Sequence, residues 1–154
     1  MASRIIEHQH GAVGAWAKRC YLAGRAAMEA MLRPFDLGST QWYILYQLVH
    51  HGPTMQRDLG QILQIERSTL TVIVGALVRK GWVEQVADNA DQRRKLLRLT
   101  PAGSDLWSKL PDLSAIINEA AFAGISEADM EVAVRVLRVA TGRLNAFIKK
   151  EDTA

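Results

Sequence analysis

The stretch from Ile62 to Gly103 sets a helix directly before a two-stranded ribbon with a basic tip, and few jobs need those two devices side by side. Over residues 66–80, Leu70, Ile73, Val74 and Leu77 recur at three- and four-residue steps and define one inward face of a helix. Arg67, Ser68, Thr69, Thr71 and Val72 are left on the outer side, near its N-terminus. Gly81 stands where a helix C-cap is expected. Residues 82–86 and 95–99 then have strand character on either side of a polar turn, which predicts a β-hairpin with Asp91, Gln92, Arg93 and Arg94 at its tip.

The rest of the chain reads as helix. From about Arg4 to Leu32, Val13, Trp16, Ala17, Cys20, Gly24, Ala27, Met28 and Met31 form a stripe, with Lys18, Arg19, Arg25 and Arg33 largely off it. Pro34 ends that helix. Ser39 or Thr40 can cap a second one, which carries Trp42, Leu45, Tyr46, Leu48 and Val49. A short helix follows from about Met55 to Leu63. After the hairpin, Thr100 and Pro101 form a strong helix start, Pro111 should kink or break that helix, and Ser126 to Asp129 opens the last one as a capping-box variant. Met130, Val134, Leu137, Ala140, Leu144, Phe147 and Ile148 line one side of that last helix. The expected order is α-α-α-α-β-β-α-α.

Composition bounds the chemistry. The 154 residues suit one domain with a proper core. Nineteen Lys and Arg against sixteen Asp and Glu permit nucleic-acid binding without requiring it. Position is more informative: eight basic and five acidic residues lie between Arg57 and Arg98, but six and eight from Pro101 onward. One cysteine excludes an internal disulfide framework and fits a reducing cytoplasm. The start shows no apolar signal region, and no run has the length of a membrane span. No glycine-rich phosphate loop, nucleophile elbow, metalloprotease helix or pair of carboxylates suggests an enzyme or a bound cofactor. His8 and His10, like His50 and His51, are too close in sequence to converge on one metal from a regular helix, which leaves only a site drawn from both pairs and a carboxylate as the metal-sensing alternative.

Two short helices joined by a tight turn, the second polar in its first turns, describe a helix-turn-helix. The N-terminus of the second helix carries unpaired backbone N–H groups and the positive end of the dipole, so Ser68 and Thr69 are placed for phosphate. Arg67 and Thr71 are placed for base edges, and Val72 for a thymine methyl. A cationic hairpin tip suits the narrow, electronegative minor groove, with Asp91 able to extend the Arg93 guanidinium. Each device alone is also what an ordinary solvated surface offers; in succession they point to double-stranded DNA.

Residues 65–71, 77–83, 91–93 and 99–103, with Gln41 and Trp42, resemble a MarR-family transcriptional regulator, and the helix order and length match along the whole chain. The resemblance implies a mainly α fold with a small β-hairpin wing. Residues 36–100 would form the winged helix-turn-helix, and 1–35 with 101–154 the helical dimerisation region, within one domain 1–154. It further implies a homodimer on a pseudo-palindromic operator, usually a repressor, released by a small and often aromatic ligand. Four positions depart from the family pattern. Gln92 replaces a wing arginine, Val72 stands where arginine is common, Gln64 occupies a turn position often held by glycine, and Met55 replaces a capping Ser or Thr, for which Thr54 can substitute.

Apolar stripes at both chain ends favour pairing of two copies, spacing two readers about 34 Å apart. A ligand between the pairing helices and the reader then needs only to prefer one geometry. Trp16, Arg25, Trp42 and Tyr43, with His10 near the entrance, would suit a planar carboxylate or acyl thioester. Both tryptophans also fit a plain core role. The alternative switch is Cys20 as a redox sensor, but its place on the apolar stripe predicts a buried, inert thiol.

Overall fold

The computed structural model describes residues 12–87, 90–91 and 94–152, which cluster into two compact units divided between Ile117 and Asn118. The first contains α1 (Ala12–Leu32), a 3-10 turn (Arg33–Phe35), α2 (Ser39–His51), β1 (Thr54–Met55), α3 (Gln56–Leu63), α4 (Arg67–Arg79), β2 (Val83–Ala87), β3 (Lys95–Leu99) and α5 (Pro101–Lys109). Helix α6 (Leu113–Phe122) crosses the division, and α7 (Glu127–Glu151) belongs to the second unit. The part of the first helix expected before Ala12 lies outside the described residues. Among the described residues no single helix is long and apolar enough to cross a membrane.

The core of the first unit is aliphatic. Leu32, Ile44, Leu45, Leu59, Val74, Leu77, Val83, Leu97 and Leu113 are fully buried, with Trp42 beside them. Each element presents the face that its period dictates: Leu70, Val74 and Leu77 on α4, and Val83 and Leu97 on the strands. Helix α1 joins this core only at its C-terminal end, through Met28 and Leu32.

The start of α2 differs from expectation. Gly38, not Ser39 or Thr40, is the N-cap, and its N–H donates to Oε1 of Gln41 at 3.1 Å. Ser39 is buried inside the helix instead. Its backbone N–H (3.0 Å) and hydroxyl (2.6 Å) both donate to Oε1 of Glu29 on α1. A long-range carboxylate has claimed the hydroxyl that a local cap would have used.

Between α3 and α4 the chain turns through 114°, within the helix-turn-helix range. The turn is made at Gln64, whose φ of 53° lies in the left-handed region, which explains why glycine suits this position. Ile65 N–H closes it by donating to the Gly60 carbonyl at 2.9 Å.

The expected two-stranded ribbon is a three-stranded antiparallel sheet in the order β1-β3-β2. Thr54 and Gln85 both register with Leu97, and Val83 registers with Leu99. Strand β1 also corrects the expected capping of α3. Met55, extended and paired with Leu96, is the N-cap, while Thr54 turns its hydroxyl back to the Gly52 carbonyl at 3.0 Å.

The remaining signals fall where expected. Gly81 (φ 76°) closes α4, its N–H donating to the Val78 carbonyl and the Trp82 N–H to that of Leu77. Thr100 caps α5 through Gly103 N–H at 3.0 Å and also donates its hydroxyl to the Gly81 carbonyl at 2.6 Å. Gly103 is required by contact: a Cβ there would lie 2.1 Å from the Trp82 carbonyl oxygen. Pro111 separates α5 from α6, so that three helices and not the expected two follow the hairpin, and Ser126 caps α7 by accepting the Asp129 N–H at 3.1 Å.

Candidate nucleic-acid interface

The outer face of α4 carries Arg67, Ser68, Thr69, Thr71 and Val72, all exposed, so the structure brings these five expected residues together. Val72 is 70% exposed, a large departure for an aliphatic side chain on a helix whose opposite face is core. The N-cap, Glu66, makes no side-chain cap hydrogen bond, and no acidic residue lies in the first turn. The first N–H groups of α4 are therefore open to an anion, and the helix dipole favours one.

Beside this face lies a cleft of about 910 Å³ bounded by α3, α4 and the hairpin. Arg57, Arg67, Arg94 and Lys95 bring positive charge to it, and Asp58, Glu66 and Asp91 bring negative charge. Arg57 stands 3.8 Å from Asp58 with its side chain 85% exposed, so the pair is strongly screened. Arg67 has no ion-pair partner among the described residues. At the hairpin, Asp91 approaches Arg94, with Nε 3.8 Å from its carboxylate and the Arg94 N–H 2.9 Å from its carbonyl. Arg93 and Gln92, expected at the wing tip, lie outside the described residues. Arg98 pairs across the sheet with Glu84, its register partner.

Two residues that the sequence did not single out sit at the foot of the hairpin. Gln85 on β2 donates to Gln56 at 2.6 Å, and Gln56 donates to the Thr71 hydroxyl at 3.4 Å. Their meeting depends on β1, which places the start of α3 against the ribbon. Gln85 shares its strand face with the buried Val83, so the alternation did not mark it as exposed. Lys80, at the C-cap of α4, was also missed. It pairs with the Asp36 carboxylate at 3.2 Å, donates to the Asp36 carbonyl, and lies 5.0 Å from the Trp82 ring centroid.

The expected effector residues line no common cleft among the described residues. Trp42 is 5% exposed and packs 5.5 Å from the Trp107 ring, so it serves the core. Tyr43 meets its edge at 5.1 Å but is itself exposed. Arg25 lies 4.0 Å from Glu29. Trp16 is 58% exposed, with the Arg19 guanidinium 5.0 Å over its ring. His10 is outside the described residues. Neither the cleft beside α4 nor a smaller one of about 280 Å³ near Glu29 and Lys80 is lined by Trp16, Arg25, Trp42 or Tyr43.

The expected burial of Cys20 is wrong: its thiol is exposed, because this part of the α1 stripe faces away from the chain's own core. The Glu29 carboxyl is held below the usual glutamate range, first by the Ser39 hydroxyl, then by the Ser39 N–H, with Arg25 and Arg33 adding to this against some desolvation.

Residues 35–94 match the model of the MarR family. The chain is 30% identical over 108 residues to the HTH-type transcriptional regulator YwoH of Bacillus subtilis, covering 70% of this chain and 78% of that protein. Its fold resembles the PcaV transcriptional regulator of Streptomyces coelicolor in complex with its natural ligand (TM-score 0.70, 28% identity, 84% of this chain and 91% of that one). It also resembles BpsR of Bordetella bronchiseptica, whose DNA binding is regulated by 6-hydroxynicotinic acid (TM-score 0.74, 24% identity, 84% and 98%). With its helix-turn-helix, three-stranded wing and flanking helices, the chain belongs to the MarR family of DNA-binding, winged-helix transcriptional regulators.

Proposed function

We propose that this regulator works as a homodimeric repressor of a pseudo-palindromic operator. In this reading α4 enters the major groove and the hairpin tip lies in the adjoining minor groove. The observation that carries it is the outer face of α4: an uncapped N-terminus, an Arg67 with no ion-pair partner among the described residues, and a solvent-facing Val72 on a helix whose other side buries Leu70, Val74 and Leu77. Ser68 and Thr69 hold phosphates, Arg67, Thr71 and Val72 face base edges, and Asp91, Arg93 and Arg94 serve the wing. Pairing is supported by the apolar residues that α1 and α7 leave outside, Val13, Trp16 and Leu22 on one, Leu144, Phe147 and Ile148 on the other.

A small molecule releases the operator in this reading, as the ligand-bound PcaV and ligand-regulated BpsR suggest by likeness. An aromatic acid or its thioester fits Trp16, Arg25, Trp42, Tyr43 and His10 only if pairing gathers them around a shared pocket. The decisive experiment is a gel-shift titration on fragments from around the chain's own promoter, at several salt concentrations. Saturable binding with a steep negative salt slope, relieved by an aromatic acid, supports the proposal. Binding of equal strength on every fragment contradicts it. The second reading is release by peroxide through Cys20, whose thiol is exposed in the single chain; in that case Cys20→Ser abolishes the response to peroxide while operator affinity stays unchanged.

A further inference from the structure

Three side chains from three elements meet at the edge of the cleft, and chemistry fixes the direction of every hydrogen bond between them. The Arg67 carbonyl can only accept, so the single hydroxyl proton of Thr71 goes to it, at 2.8 Å. Thr71 can then only accept from Gln56, so Gln56 turns its NH₂ to Thr71 at 3.4 Å. That leaves the Gln56 carbonyl oxygen for the NH₂ of Gln85 on the wing strand, at 2.6 Å. The relay has one polarity, and it runs from the ribbon through the first residue of α3 into the reader.

We infer that Gln56 is a positioning residue for sequence readout. It occupies a lone pair of the Thr71 hydroxyl, whose proton the Arg67 carbonyl already holds, so that Thr71 discriminates bases through its methyl group. This rests on the proposal that the outer face of α4 enters the major groove. Thr71 retains no donor for guanine N7 and O6 or for adenine N7; a methyl and one lone pair remain. Val72, 70% exposed at the next position, adds only methyl groups. The methyl groups match the 5-methyl group of thymine, and the remaining lone pair can only accept, as from an adenine or cytosine amino group. Because Gln85 belongs to β2, the setting of the wing strand is tied to the same hydroxyl.

The test uses full-length protein and the tightest duplex recovered by selection from a random-sequence library. Replacing the contacted thymine with uracil should weaken the wild type by about three- to fivefold per site, the effect of one methyl group. Thr71→Val keeps the methyl and should retain this discrimination; Thr71→Ser keeps the hydroxyl and should lose it. Gln56→Ala and Gln56→Glu, neither able to donate to Thr71, should relax the preference at that base pair, by about threefold or more. In a Thr71→Val background they should relax it no further. Thermal melts of each variant establish that the fold is intact. Additive effects of Gln56→Ala and Thr71→Val, or discrimination lost with Thr71→Val and kept with Thr71→Ser, would overturn the inference alone. If Arg67→Ala and Val72→Ala also leave the selected sequence unchanged, the groove reading itself fails and takes the inference with it.

Discussion

Helices α4 and α7 are both amphipathic, yet they stand in opposite relations to their own chain. Helix α4 buries Leu70, Val74 and Leu77 beneath an exposed polar face. Helix α7, about 37 Å long over its 25 residues, buries nothing. Its Val134, Leu137, Leu144, Phe147 and Ile148 remain 41% to 63% exposed. An apolar stripe of that length left in water is costly, so the difference separates a self-contained reader from a helix whose apolar side its own chain leaves open. The same contrast runs along α1, which is anchored at Met28 and Leu32 but leaves Val13, Trp16 and Leu22 in solvent.

The contrast breaks most decisively by charging α7. Leu144→Glu combined with Phe147→Glu should give a monomer by sedimentation, with the circular dichroism spectrum retained and operator affinity lowered on the order of a hundredfold or more. A dimer with normal affinity would mean that the exposed stripe serves another purpose. The next effect belongs to the reader. Gly103→Ala drives a methyl into the Trp82 carbonyl and should cost about 3 kcal/mol in urea denaturation, since backbone cannot move aside as a side chain can. A loss below about 1 kcal/mol would show that α5 is not held against the base of the wing.

A smaller effect, of opposite sign, is expected at the turn. Gln64→Gly relieves a left-handed residue and should stabilise the reader by up to about 1 kcal/mol, without altering its dimerisation. Smallest of all is the acid limb of the stability curve. The Glu29 carboxyl is lowered in the folded state, so its contribution is complete above the unfolded value of 4.5 and is lost as pH falls through the folded value. Ser39→Ala should flatten that limb, and an unchanged acid melt would detach Glu29 from the stability of the α1–α2 contact.

What the sequence disclosed divides along the same line. Local signals were legible: the Gly81 helix stop, the Thr100 and Pro101 start, the break at Pro111 and the inward face of α4 each depend on neighbours a few residues away. Non-local pairings were not. Strand β1 is two residues long and exists only because Thr54 and Met55 meet Leu97 and Leu96 some forty positions on, so no periodicity announced it. With β1 unseen, the meeting of Gln56 with Gln85 and Thr71 was invisible too. Ser39 looked like a cap because its partner, Glu29, lies on another helix. Cys20 and Trp16 sit on an apolar stripe, and a stripe reveals that something covers it without revealing whether the cover belongs to the same chain.

Hydroxyl-radical footprinting of the selected operator, with the protein-to-DNA ratio fixed by sedimentation of the same complex, tests the central claim most directly. Two copies per duplex should protect two symmetry-related segments whose centres lie about one helical turn, roughly 34 Å, apart. A single copy bound with undiminished affinity, or protection of one segment without a symmetric mate, would contradict a paired reader.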